Sequence, residues 1–203
     1  MAAETAECST GRNEVGEEEG DGRTYWRVLA LLEKHGVQYA HLGPHEPTRT
    51  SEDSVRVRVS LGWHDCSLAR GAKAMLLVNS RSGSFALMVM SAARRLDWKL
   101  LRRVLPQGKK WGMASEDQVM RVTGCLPGAV PPFGSVFQNS SGEDDDDSGV
   151  VVTYMDKSLR EQGEIINFNA GLRTRSVEIT LEDYVRIEKP LECSITTAQD
   201  VSQ

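Results

Sequence analysis

Two apolar runs, KAMLLVNS (73–80) and SFALMVMS (84–91), are joined by only Arg81, Ser82 and Gly83. Short apolar segments on either side of a glycine-bearing turn read as the paired strands of a hairpin. A sheet is therefore fixed in the middle of the chain, and the other segments have to be arranged around it.

Those segments alternate in kind. TYWRVLALLEKHG has apolar residues near helical spacing, at Trp26, Leu29, Ala30 and Leu32, and stops at Gly36. VQYAHL reads as a short extended piece. In HEPTRTSEDSVRVR, Thr50 or Ser51 caps a helix whose first turn holds Glu52 and Asp53, where the helix dipole favours anions. A basic amphipathic helix is expected within 94–110, centred on LDWKLLRRVL (96–105), with Trp98, Leu101 and Leu105 facing inward. Ser115 caps a further short helix. GCLPGAVPPFG (124–134) carries too much glycine and proline for a regular element and reads as a shaped loop. Strands are expected at 150–156, 163–171 and 175–180, and a helix at 181–188. Hairpins outnumber strand–helix–strand crossovers, which points to an α+β domain on a twisted mixed sheet or barrel with helices outside.

Composition sharpens the boundaries. Residues 1–22 hold seven acids and one base, and QNSSGEDDDDSG (138–149) holds five acids and no base. Neither stretch has the apolar surface to offset chain entropy, so both are expected to be disordered. The predicted organisation is an acidic tail (1–22), one domain (23–189) with an acidic insert (138–149), and a C-terminal tail (190–203). The net charge of −5 is misleading, because outside the two tails and the insert the body carries 23 bases against 15 acids. That balance suits a polyanionic partner, or equally a set of solvated helix faces. Cys8, Cys66, Cys125 and Cys193 are too scattered for a disulfide framework or a zinc site. His35, His41, His45 and His64 show no metal spacing. No cofactor or metal is expected. No apolar run reaches membrane-spanning length, and the N-terminus lacks signal-peptide features, so a cytoplasmic protein without a membrane partner is expected.

Three stretches could carry chemistry. Lys73 stands where a polar loop enters an apolar strand, a position from which an ammonium can grip a phosphate or polarise a carbonyl. It could also be a lysine that blunts an edge strand. In TGCLPGAVPPFG (123–134), Gly124 and Gly128 permit positive φ and the prolines stiffen the chain between them. Such a loop can aim backbone N–H groups at a developing oxyanion, or simply form a tight connection. In IINFNAGLRTRS (165–176), Asn169 could place an amide at a pocket mouth or belong to a hairpin turn. Cys125 with His64 and Asp65 allows a thiol nucleophile on paper, but TGC suits a small thiol packed in the core better.

HEPTRTSED, GAKAMLLV, GAVPP and FNAGLRTRS occur in the order and spacing of the YbaK/prolyl-tRNA synthetase-associated editing domains, which the chain resembles over roughly 36–188. The resemblance implies an aminoacyl-tRNA deacylase that hydrolyses the ester of tRNA mischarged with a small amino acid (Ala, Ser, Thr or Cys) in trans. It makes Lys73 the functional lysine. It gives Gly128, Ala129, Val130, Pro131 and Pro132 to the loop that positions the aminoacyl group. Thr123, Gly124, Asn169 and His45 are expected to shape or brace the pocket, Asn169 lying near a position that is histidine in some members. The implied partners are the charged 3′ end of tRNA and, beside it, a synthetase. With tRNA in view, Arg102, Arg103, Lys109 and Lys110 become candidate RNA contacts. The competing expectation is a non-catalytic tRNA- or synthetase-binding module of the same fold.

Overall fold

A computed structural model describes residues 22–137 and 151–198. The acidic tail and insert lie outside the described residues, apart from Gly22. The hairpin is present as β2 (Ala72–Asn79) and β3 (Phe85–Ser91), paired antiparallel from Ala72↔Ser91 to Val78↔Phe85. Both faces of β3 are covered. Phe85, Leu87 and Val89 enter the main core with Phe133, Phe168 and Tyr184, while Ala86, Met88 and Met90 pack beneath Leu101 and Leu105. A strand buried on both faces needs the uninterrupted apolar run seen in the sequence.

The sheet extends to β5–β2–β3–β6–β9, with β5 at Trp111–Met113, β6 at Val152–Asp156 and β9 at Leu191–Cys193. The β3–β6 and β6–β9 pairs are parallel, so the sheet is mixed. A second, antiparallel sheet has the order β1 (Ala40–Leu42), β8 (Ser176–Thr180), β7 (Ile165–Asn169). Among the described residues, the two sheets are joined by the parallel bridge Gly71↔Asn167. The mixed-sheet form of the α+β expectation is thus the one adopted, and among the described residues no barrel closes.

Local signals placed the helices α1 (Arg23–Lys34), α2 (Ser51–Ser60), α4 (Glu116–Thr123) and α5 (Leu181–Glu188), with α3 (Trp98–Val104) between α2 and α4 in the chain. The Thr50 hydroxyl accepts from the Asp53 N–H at 3.0 Å. Ser115 and Gln118 complete a capping box at the start of α4. The inward face of α1 is Tyr25, Val28 and Leu32, and Trp26 is 66% exposed.

Two expectations are corrected in their extent. The helix expected at 96–105 is present as α3, with Leu101 and Leu105 buried and Trp98 packed against them, but residues 94–110 as a whole do not form one helix. Arg94–Leu96 is strand β4, Asp97 caps α3 by accepting from Lys99 and Leu100 N–H, and Gly108–Lys110 is a separate 3-10 turn. A capping aspartate one residue after a short strand starts the helix there and nowhere earlier. The segment after 189 is not all tail, since β9 pairs with β6, and Thr196–Ala198 (β10) pairs with β4. Fully buried Ile195 and the Asp156 carboxylate anchor it, the latter accepting from Ile195 N at 2.7 Å and Thr196 Oγ1 at 2.9 Å.

Candidate active site

The site follows from a gap in the sheet. On the outer edge of β2, β5 pairs with Leu77–Asn79, and β7 bridges at Gly71, just before the strand. Among the described residues, no strand lies beside the stretch between on that edge. Leu76 O accepts from Ala114 N at 3.1 Å, so Leu76 turns its peptide groups outward. Ala74, two residues earlier, must turn its N–H and C=O to the same open edge.

A cavity of about 410 Å³ occupies this gap. Its walls are the β2 edge from Gly71 to Leu76, Arg49 and Thr50 with the inner face of α2 as far as Arg58, Met113 at the end of β5 with Ala114 after it, Pro127, Gly128 and Val130 of the shaped loop, and Asn167 to Asn169 of β7. Lys73 and the loop therefore border one hollow. The Lys73 ammonium donates to Arg94 O at 2.9 Å, and burial pushes its pKa below the usual lysine value, with Glu52 opposing and Arg95 reinforcing the shift.

The loop is held by a glycine backbone conformation and by hydrogen bonds to three of its carbonyls. Gly128 has φ +89°, and a Cβ there would lie 2.9 Å from Arg49 O, so the position requires glycine. Asn169 Nδ2 donates to Gly128 O at 2.8 Å, Gly171 N to Ala129 O at 2.9 Å, and Arg173 Nη2 to Pro127 O at 2.7 Å.

The remaining sequence candidates lie apart from the cavity lining. Thr123 is buried, its hydroxyl donating to Val119 O at 2.7 Å and accepting from Cys125 N. Gly124 ends α4 with φ +65°. Ala129 is fully buried, and Pro132 O accepts from the Tyr184 hydroxyl at 3.1 Å, next to Pro131. His45 braces two segments, with Nε2 3.0 Å from Ser176 Oγ and Nδ1 2.8 Å from Glu46 O. Arg102, Arg103, Lys109 and Lys110 are exposed on α3 and the following turn, outside the cavity. Cys125 is completely buried with Sγ 3.3 Å from Thr123 O. Among the described residues, no three His, Cys, Asp or Glu side chains are grouped to hold a metal, and no helix is long and apolar enough to cross a membrane.

Sequence reasoning missed Arg58. It is 3% exposed, lines the cavity, and donates to Ser176 Oγ at 2.9 Å, Asn167 Oδ1 at 2.7 Å and Asn169 Oδ1 at 2.8 Å. One signal was available. Ser54 and Arg58 are four residues apart and share a helix face with the buried Val57.

Residues 45–187, most of the chain, match the aminoacyl-tRNA editing domain. The chain belongs to that family. Membership places it among the hydrolases of the aminoacyl-tRNA ester bond. The chain is 28% identical over 169 residues to the multifunctional Ser/Thr-tRNA deacylase ProXp-y of Escherichia coli K12, covering 82% of this chain and 89% of the relative. The O157:H7 form of that deacylase matches equally. A crystal structure described as a trans-editing enzyme for prolyl-tRNA synthetase superposes with a TM-score of 0.63 at 18% identity, covering 86% of this chain and 98% of the other, a likeness of fold.

Proposed function

We propose that this editing-domain protein removes a small amino acid, serine or threonine foremost, from mischarged tRNA in trans, at the cavity between Lys73 and the Pro127–Val130 loop. The observation that carries the reading is the meeting of a partly desolvated ammonium, an unpaired strand edge and a fixed backbone loop around one hollow. The 28% identical relative, a Ser/Thr-tRNA deacylase, directs the choice among small side chains.

An aminoacyl ester is already activated, so positioning and charge stabilisation suffice. Water attacks the ester carbonyl carbon. A carbon–oxygen bond forms, the tetrahedral oxyanion collapses, and the bond to the ribose oxygen breaks. The water's protons pass to the released ribose hydroxyl and to solvent. The neighbouring ribose hydroxyl of the tRNA directs the water. Lys73 grips the nucleotide end, and backbone N–H groups of the loop and of the β2 edge receive the developing charge. The exposed bases of α3 and the turn after it meet RNA phosphates. A synthetase docked nearby would supply mischarged tRNA, but the chemistry does not need one.

The test is release of amino acid from purified tRNAs carrying serine, threonine, alanine or cysteine, without a synthetase. The wild type is expected to discharge the hydroxyl-bearing substrates fastest, and Lys73→Ala to be slower by about 100-fold, the cost of losing one stabilising donor. Absence of turnover on every substrate would sink the reading. Equal rates for the two proteins would remove Lys73 from it.

A further inference from the structure

The loop bordering the cavity owes its orientation to a network that ends on Arg58. Three consecutive carbonyls, those of Pro127, Gly128 and Ala129, are held by Arg173, the Asn169 side chain and the Gly171 N–H respectively. In a trans peptide the C=O and the following N–H point in opposite directions. Turning these carbonyls toward 169–173 therefore turns the N–H groups of Gly128 and Val130 away from that segment, and both residues line the cavity.

Asn169 is the link that needs explanation. Its Nδ2 donates to Gly128 O at 2.8 Å and Thr48 Oγ1 at 3.0 Å. Its Oδ1 accepts from Arg58 Nη2 at 2.8 Å and from Ser176 Oγ at 3.4 Å. An amide has two donors and two main acceptor sites, so all four are used and none is left for substrate. The direction of the amide is also forced. Guanidinium only donates and a carbonyl only accepts, so Oδ1 must face Arg58 and Nδ2 must face Gly128.

We infer that Arg58 is a positioning residue which, through Asn169, sets the peptide planes of the 127–130 loop. Asn169 is then a clamp and not a substrate ligand. The inference rests on the reading of that loop as the acyl-positioning element. Burial pushes the Arg58 pKa below the ordinary arginine value, with Cys66 and Glu178 opposing, and its hydrogen bonds to Ser176, Asn167 and Asn169 are all to neutral groups, so the buried guanidinium is a costly feature to keep. Fixing the one amide that aims the loop gives it a use.

The decisive variant is Asn169→Asp in the full chain. Its carboxylate still accepts from Arg58, so the fold is retained, but it has no N–H for Gly128 O. Expected are a kcat lower by about 100-fold on mischarged tRNA, a KM within about threefold of wild type, a melting temperature no lower, and faster amide exchange at 128–130. Arg58→Lys, which replaces a planar three-point fork by a point charge, is expected to speed the same exchange and to lower kcat. Wild-type kcat and loop exchange in Asn169→Asp would overturn the inference. So would a loss of activity matched by a general loss of stability with no selective change at the loop. If the wild type itself released no amino acid, the deacylase reading would fail, while the exchange contrast would still decide the clamp.

Discussion

The Lys73 ammonium donates to the carbonyl oxygen of Arg94 at 2.9 Å, tying β2 to β4 at the border of the cavity. A carbonyl can hold the charged amine in one place without neutralising it. Burial lowers the pKa of the amine from the ordinary lysine value of 10.5.

The consequence is a pH profile. The working form is the protonated one, so enzymatic deacylation, corrected for spontaneous ester loss, should fall on the alkaline side at a pH below the ordinary lysine value. Lys73→Arg remains charged throughout that range. It should turn over more slowly but lose the alkaline limb. An unshifted limb in Lys73→Arg would assign it to another group.

Two glycine substitutions separate strain from function. Gly128→Ala places a Cβ 2.9 Å from Arg49 O at φ +89°, whereas Gly83→Ala, at φ +75° in the β2–β3 turn, meets nothing within 4 Å. Both should lose about 1–3 kcal/mol of stability from the left-handed backbone. Deacylation at saturating substrate should fall only in Gly128→Ala, as measured beside denaturant unfolding.

The exposed bases outside the cavity should act on encounter with RNA. Arg102→Glu with Arg103→Glu is expected to raise KM for tRNA and to flatten its salt dependence, leaving kcat near wild type, because phosphate contacts are screened and do not touch the ester. Titrating salt in steady-state assays checks this. A salt slope equal to wild type would place the RNA elsewhere.

Asp156 links pH to the C-terminal strands. Burial alone would raise its pKa, but hydrogen bonds from Ile195, Ser158 and Thr196 together hold it below the usual carboxylate value of 3.8. A depressed carboxylate contributes stability at neutral pH that is lost as pH falls through its folded-state pKa, here below 3.8. Asp156→Asn should cost about 2 kcal/mol at pH 7, the scale of a hydrogen bond to a charged group. It should also remove that part of the acid destabilisation, read by unfolding curves at several pH values.

Much of the fold was legible because its signals are local. Uninterrupted apolar runs around a glycine turn specify the β2–β3 hairpin. A threonine or serine followed by acids specifies the starts of α2 and α4, because cap and backbone lie within three residues of each other. Gly128, with its neighbouring prolines, announced a loop that no regular element could accommodate. In the basic stretch 94–110 the periodicity located the core of α3 but not its ends, because charge does not encode secondary structure and the Asp97 cap sets where the helix begins.

What only the tertiary structure decided are the pairings between distant segments. Nothing in the sequence tells β6 to lie parallel to β3, or Ile195 to fill the space beneath Met88 and Met90. Nor does an arginine four residues after Ser54 reveal that it will be buried against Asn167 and Asn169, more than a hundred residues along the chain. The residue types fix what each group can donate or accept. Which groups meet is set by the burial of apolar faces, and the cavity exists where β5 and β7 both leave the edge of β2 uncovered.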